Sequence, residues 1–562
     1  MLNANKRTEP DMTEKLQLFT KPDCRFCVAA KETLSRAGLG FGEHDVSASP
    51  RTANLSVYLS GVSTVPQAFA GEMHINGSQD LVALNAAGRL APLVAAATAA
   101  IDTDHLSDET IAHGAEDIVL KDYIPERDGT RSDDPEQWAI LRFYKDFFGF
   151  WPNCFYFQHH WPESYKLFVY AHNVGAIGTG QRILGEPVMM ATGFSTSEAS
   201  GCNYCQVHMT SAAGEKSLGI PKLIEAARRG QAPEGSPIGP FEAALADLAA
   251  AAATNTVSDE LLARVRANAS RKRISQEDVE ANITGTAMIA SAFGFLNTFN
   301  DLAGVDIEAH WARQSEQSAG IEAGRHGVSE DRTATNLDHD LPQGGPSVEA
   351  MVAKYEAIVE AAGGVNAYTR RELGLLPDWM RLWPEHLRAR HAIFYAEMMQ
   401  DRDHSPVPSE LKHLMARVSA IARGHDYLAA VEGLLAYRAA GSDQRAVERA
   451  RHCFDAAKSR PEGQALFTEK ERAALTVAWL SGQAPITTPR RFIQPAIDHW
   501  TPVELIHLFT VCGVAGLVQR FSAIARPKIE AQVRDFLEQH KLTADTLALR
   551  YPLPEERHGA AT

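Results

Sequence analysis

Residues Ser197 to Thr210 read S-E-A-S-G-C-N-Y-C-Q-V-H-M-T and hold two thiols and an imidazole within seven positions. Cys202, Cys205 and His208 recur every three residues, so in a helix all three lie along one face. Gly201 breaks whatever precedes it, which opens that helix on Cys202. The partial positive charge of a helix N-terminus favours thiolate over thiol. Two thiols one turn apart can close a disulfide with little backbone movement. His208, one turn beyond Cys205, could accept that thiol's proton, and Glu198, about one turn before Cys202, could pass protons on. The pattern points to redox or nucleophilic thiol chemistry. A structural zinc site and a pair of inert buried cysteines compete with it. Zinc usually takes four protein ligands, and no second cysteine or histidine pair stands at a suitable spacing nearby.

A second C-x-x-C lies at Cys24 and Cys27. The alternating run Leu16 to Thr20 reads as a strand, which leads through Pro22 and Asp23 into a helix opening on Cys24. Strand, C-x-x-C, helix is the redox-active opening of a thioredoxin-like α/β fold. An exposed Cys24 at the helix start is the expected nucleophile, with Cys27 as the resolving thiol. Lys21 could stabilise the thiolate or hold a carboxylate, and Arg25 between the thiols favours the thiolate.

The rest of the chain must position these two pairs. Its 562 residues exceed one core, so two to four domains are expected. Apolar residues make up 45% and charged ones 22%, a globular composition. A net charge of −15 argues against nucleic acid as a main partner. No run approaching the roughly 18 to 20 apolar residues of a membrane span is expected, nor a signal peptide at the N-terminus. Seven cysteines, four of them in C-x-x-C pairs, fit catalytic thiols in a reducing cytoplasm.

Two family resemblances follow from these motifs. The run G-C-N-Y-C-Q-V-H, with Pro187 to Thr192 upstream, resembles the active-site segment of the carboxymuconolactone decarboxylase and alkylhydroperoxidase D-like family. That resemblance implies an all-helical domain, a catalytic disulfide at Cys202 and Cys205, and a homo-oligomer. His208 comes three residues after the second cysteine where the family pattern has four. Met190 stands where a relay glutamate is expected, leaving Glu186 and Glu198 as candidates. Residues from Lys15 to about Ala100 resemble a dithiol glutaredoxin through K-P-D-C-R-F-C, T-V-P and I-N-G-S-Q-D-L. This implies glutathione as thiol co-substrate, held by Lys21, Thr64, Val65, a cis Pro66, Gly77, Ser78 and Asp80. Asn76 and Gln79 replace a glycine and an acid of the family run.

The domain plan expected from these readings is a glutaredoxin-like domain (13–100), an acidic linker (101–137) and an alkylhydroperoxidase D-like helical domain (138–312). A polar linker (313–347), a second, degenerate helical repeat (348–545) and a tail (546–562) follow. Leu411 to Leu435 lies over the Cys202 region with Tyr427 opposite Tyr204, and Thr501 to Ser522 lies over Ser275 to Asn300. His425, Leu428 and Val431 then replace Cys202, Cys205 and His208, so the second copy keeps the scaffold without the chemistry. Asn297, Asn300 and Asp301 match in kind the family's closing helix. The aromatic run Trp138 to Trp161 reads as an apolar substrate pocket or as a core or interface helix. His159 and His160 read as capping or surface histidines, and Cys453 and Cys512 as buried thiols. The function expected is a thiol peroxidase or disulfide oxidoreductase recycled by its own glutaredoxin domain, with a hydroperoxide or disulfide substrate, and no metal, membrane or nucleic acid. A decarboxylase-like enzyme on a non-peroxide substrate and a redox-regulated binding protein are the alternatives.

Overall fold

A computed structural model describes residues 15–148, 151–211, 219–330 and 343–557, which form two compact units. The first comprises residues up to 118, 487–494 and the segment from 545, and the second comprises 119–486 and 495–544.

The first unit is a four-stranded sheet with helices on both faces. Its elements are β1 (Leu16–Thr20), α1 (Arg25–Arg36), β2 (Gly42–Asp45), α2 (Pro50–Ser60), β3 (Gln67–Ala70), β4 (Met73–Asn76), α3 (Ser78–Ala86), α4 (Leu90–Ala96) and α5 (Asp108–Ala115). The strand order is β2-β1-β3-β4, with β1 parallel to β2 and antiparallel to β3. Alternate residues of β1 serve opposite cores, as a two-residue period requires. Leu16 and Leu18 pack with Ala30, Leu34, Leu81 and Leu84, while Phe19 packs with Leu55, Phe69 and Ile111. This is the thioredoxin-like α/β domain expected.

The expected acidic linker is ordered. Ser107 caps α5 by accepting from the Thr110 N–H at 3.1 Å, and Ile111 of that helix is fully buried. Its apolar residues find a core despite the charge around them, so residues to 118 belong to the first unit. The expected tail also joins this unit: Tyr551, after the short helix Thr546–Arg550, is 1% exposed in the β1 core.

The second unit is helical. Two hairpins recur in it: α6 (Glu186–Ser200) with α7 (Asn203–Ser211), and α10 (Ser409–Arg423) with α11 (Asp426–Ala439). Each turns on a left-handed glycine, Gly201 at φ 80° and Gly424 at φ 77°. Gly201 is required twice over, because a Cβ there would also meet Pro485 at 2.6 Å. Long helices α8 (Gln276–Ala303) and α12 (Pro502–Ala525) pack together, with α9 (Ala309–Ala319) between them in sequence. They cross where a Cβ on Gly294 would lie 2.5 Å from the Gly516 carbonyl oxygen, and one on Gly516 2.6 Å from that of Gly294.

The two halves also share a buried hydrogen-bond network. Glu308 accepts from the Asn153 N–H (2.6 Å) and Tyr204 OH (3.1 Å), and Tyr204 OH accepts from the Cys154 N–H (3.2 Å). Glu530 accepts from the Asp378 N–H (2.5 Å) and Tyr427 OH (2.8 Å), and Tyr427 OH accepts from the Trp379 N–H (3.2 Å). Tyr204 and Tyr427 thus occupy equivalent places.

Two sequence expectations change here. Helices α8 and α12 are each long and apolar enough to cross a membrane, contrary to the expected absence of such a run, and most of each apolar stretch is buried inside the unit. The expected polar linker 313–347 contributes α9 and a turn at Gly324–His326 to the fold, while its residues 331–342 lie outside the described ones.

Candidate functional site

In the first unit Cys24 occupies the N-cap of α1, and its sulfur accepts the Cys27 N–H at 3.2 Å. This is how a helix N-terminus favours thiolate: an unpaired N–H finds an anion. Burial alone would raise the Cys24 thiol. The Cys27 thiol and N–H, the Phe26 N–H and the charge of Lys21 outweigh it and hold Cys24 below a cysteine's ordinary value. Burial, then the bond with Cys24, pushes Cys27 up to about 11. Cys24 is only 8% exposed, less than a free nucleophile at a helix tip suggests. Arg25 stacks over the exposed Phe26 ring at 4.7 Å.

The Val65–Pro66 bond is cis, and the Val65 carbonyl lies 3.8 Å from the Cys24 sulfur. Exposed Thr64 precedes it, its carbonyl accepting from Gln67 at 2.8 Å. Gly77 caps α3 with a Cβ position only 3.2 Å from the Pro66 carbonyl, and buried Ser78 begins the helix. Lys21, Thr64, Val65, Pro66, Gly77 and Ser78 therefore all lie in or beside the loops around the thiols.

Asp80 is more engaged than its motif position suggests. Its carboxylate accepts from Asn76 Nδ2 (2.8 Å) and Tyr551 OH (2.7 Å) and pairs with Arg550 (3.0 Å). It ties the C-terminal segment to the sheet, and Arg550 and Tyr551 are donors that sequence proximity did not reveal.

In the second unit Gly201 ends α6 with its N–H on the Glu198 carbonyl (3.1 Å), and the Cys202 N–H returns to Ser197 (2.9 Å). The Cys202 carbonyl then accepts the Gln206 N–H at 3.1 Å and starts α7. Hydroxyls of Thr192, Thr196 and Ser197 bond back to carbonyls four residues earlier, which lets this polar helix be buried. Ser197 and Ser200 also hold Asn297 of α8.

Cys205 and His208 line an apolar cavity of about 300 Å³ with Tyr204, Cys154, Asn300 and Trp311. Phe143, Tyr144 and Phe155 of the aromatic run form part of its wall, so some of those rings serve a pocket. His159 and His160 face elsewhere, on the carbonyls of Arg127 (3.2 Å) and Pro125 (2.6 Å). The Cys205 sulfur accepts from Asn300 Nδ2 at 3.6 Å. His208 Nε2 meets Glu308 at 2.7 Å. Burial would raise the Glu308 carboxyl, but His208 and the Asn153 N–H hold it below its ordinary value.

Glu198 is corrected as a relay residue. It is exposed at the end of α6, and the carboxylate on His208 is Glu308, a hundred residues away. Sequence spacing gave no signal for Glu308.

Cys202 does not line the cavity and is fully buried. Beside it stand His326, from the turn after α9, and Asp301 of α8, each 1% exposed. Among the described residues these three are the group of potential cation donors that gather, their donor atoms within 4.8 Å of one another. The return of His326 is fixed by Asn203 Nδ2 on the Glu322 carbonyl (2.8 Å), by Arg325 on the Asp301 carbonyl, and by the Ile307 N–H on Gly327 (3.2 Å). Burial, then Cys205 and the Asp301 charge, pushes the Cys202 thiol well up, and His326 acts against that. Burial opposes a charged His326, but Asp301 and Cys202 raise it to about 9. The remaining cysteines, Cys453 and Cys512, are fully buried.

Residues 16–75 match the Glutaredoxin family. Glutaredoxin 3 of Escherichia coli K12 is 38% identical over 79 residues, which cover 14% of this chain and 95% of that protein. The hybrid peroxiredoxin hyPrx5 of Haemophilus influenzae is 44% identical over 72 residues, 12% of this chain and 28% of that protein. Among solved structures, the apo debrominase Bmp8 is 18% identical, covering 33% of this chain and 94% of its own, with a TM-score of 0.26.

Proposed function

The N-terminal domain of this chain belongs to the glutaredoxin family, a family of thiol oxidoreductases that use glutathione as thiol co-substrate, and from that premise we propose that the whole chain is a self-reducing thiol peroxidase. Its helical unit is read as alkylhydroperoxidase D-like. The observation that carries the reading is that one sulfur of the helical pair, Cys205, lies on the wall of an apolar cavity together with His208, while its partner Cys202 does not.

A hydroperoxide enters that cavity, whose roughly 300 Å³ is large beside the roughly 30 Å³ of a water and suits an organic substrate. The Cys205 thiolate attacks the terminal oxygen, the O–O bond breaks, and an alcohol leaves after taking a proton by way of His208. Glu308 orients the imidazole. Cys202 then displaces hydroxide from the Cys205 sulfenic acid, giving a disulfide and water. The Cys24 thiolate opens that disulfide, and Cys27 or glutathione resolves the mixed disulfide. Fusion in one chain supplies the reductant at an effective concentration of about millimolar.

The test is glutathione-coupled consumption of an alkyl hydroperoxide by wild type, Cys24→Ser and Cys205→Ser. Cys205→Ser abolishes turnover. Cys24→Ser slows the glutathione-driven rate, because glutathione must then open the helical disulfide unaided, and regains turnover with dithiothreitol. Full activity in both variants means the proposal is wrong.

A further inference from the structure

The second cysteine of the helical pair has its own charged partners, drawn from segments outside the hairpin that carries it. His326 Nδ1 faces the Val305 carbonyl at 2.9 Å, and its Nε2 faces Asp301 Oδ1 at 3.0 Å. A carbonyl and an ionised carboxylate are acceptors only, so with Asp301 ionised both ring nitrogens carry protons and the ring is an imidazolium. Asp301 balances its charge, and Oδ2 of that carboxylate is buried without a hydrogen-bond partner. The Cys202 sulfur lies within 4.8 Å of a ring nitrogen of His326 and a carboxylate oxygen of Asp301. The ring of Tyr204 also stands near, its centroid 5.9 Å from that of His326.

We propose that His326, held by Asp301 and the Val305 carbonyl, is the acid that receives Cys202 as leaving sulfur when the Cys202–Cys205 disulfide opens, and so directs the incoming thiol to Cys205. This rests on the reading that the pair cycles through a disulfide. An incoming thiolate attacks the Cys205 sulfur from the cavity, a new S–S bond forms, and the Cys202–Cys205 bond breaks. The electron pair goes to Cys202, which takes a ring N–H proton of His326 and becomes a neutral thiol. His326 regains a proton from solvent. A second thiol equivalent then releases Cys205 and leaves as the oxidised disulfide of the reductant. Without an acid, the leaving charge would be stranded in a site closed to water, where an unpaired ion is expensive. A thiolate stabilised on departure leaves faster, which fixes the sulfur attacked.

The experiment uses the full chain oxidised with diamide, so that it does not depend on peroxide chemistry. Opening by glutathione is acid-quenched, and the mixed disulfide is mapped by mass spectrometry. Glutathione on Cys205 is expected in wild type; glutathione on Cys202 overturns the proposal without any substitution. His326→Gln and Asp301→Asn, checked for folding by circular dichroism, should open at least about tenfold more slowly. Opening of folded His326→Gln at the wild-type rate overturns it as well. Stoichiometric zinc bound to reduced wild type and lost from His326→Gln would assign the cluster to a metal and overturn the acid role. Loss of hydroperoxide turnover with normal diamide and glutathione behaviour would instead count against the peroxidase reading alone.

Discussion

Glu308 and Glu530 occupy matching places in the two halves, and replacing each with glutamine separates what the histidine adds. In Glu308→Gln the side-chain oxygen still accepts from the Asn153 N–H and Tyr204 OH, but His208 loses its anion. A hydrogen bond to a charged group contributes about 1.5–3 kcal/mol against about 0.5–1.5 for a neutral one, so the variant should lose about 1–2 kcal/mol at pH 7. A similar loss at the transition state slows turnover about tenfold. Among the described residues Glu530 faces an N–H, a hydroxyl and no cation, and burial raises its carboxyl above the ordinary value. Glu530→Gln should therefore cost nothing at pH 7, or stabilise. The signs follow from linkage. Glu308, held low when folded, contributes stability that is present above the unfolded carboxyl value of about 4.3 and lost as pH falls through the folded one. Glu530, held high, contributes most below the unfolded value and loses this as pH rises through the folded one. Urea melts followed by far-ultraviolet circular dichroism at pH 7 and near pH 3.5 read both effects. Equal losses for the two variants at pH 7, or a Glu308→Gln penalty that grows on acidification, would refute the reasoning.

Two further outcomes are expected. Iodoacetamide at pH 7 should label Cys24 well before Cys27, whose thiol is pushed up to about 11, and peptide mapping over time checks the order. Gly516→Ala should cost about 1–3 kcal/mol in urea melts, because its Cβ would sit 2.6 Å from the Gly294 carbonyl and one long helix must shift.

The parts of the molecule legible in the sequence are those written in local spacing. Cys24 capping α1 and Gly201 turning into α7 follow from residues a turn or a strand apart, while the cis Pro66 facing Cys24 comes from the glutaredoxin resemblance and the match of Tyr204 with Tyr427 from an internal repeat. The site's other half is not local. Glu308 and His326 are single polar residues about a hundred positions or more beyond the cysteines, and nothing in their own neighbourhoods marks them. His326 even sits in a glycine-rich polar run that reads as a linker, and the glycines there serve to bring it back to Cys202. Asp80 shows a related gap: its motif position is local, but Arg550 and Tyr551 reach its carboxylate from the far end of the chain. Glu198 failed for a simpler reason, since on a helix of 15 residues a position one turn from the thiols can still point to solvent.

The three-part makeup of the first unit has a consequence for biosynthesis. Its sheet leaves the ribosome before the helical unit, but Tyr551, whose hydroxyl closes on the Ile75 carbonyl at 2.8 Å, is translated only after that entire unit. The nascent dithiol domain must wait with part of its core uncovered until the far segment arrives. Early translation arrest would therefore release a redox module lacking its final seal, which a protease should cut more readily than the full-length chain.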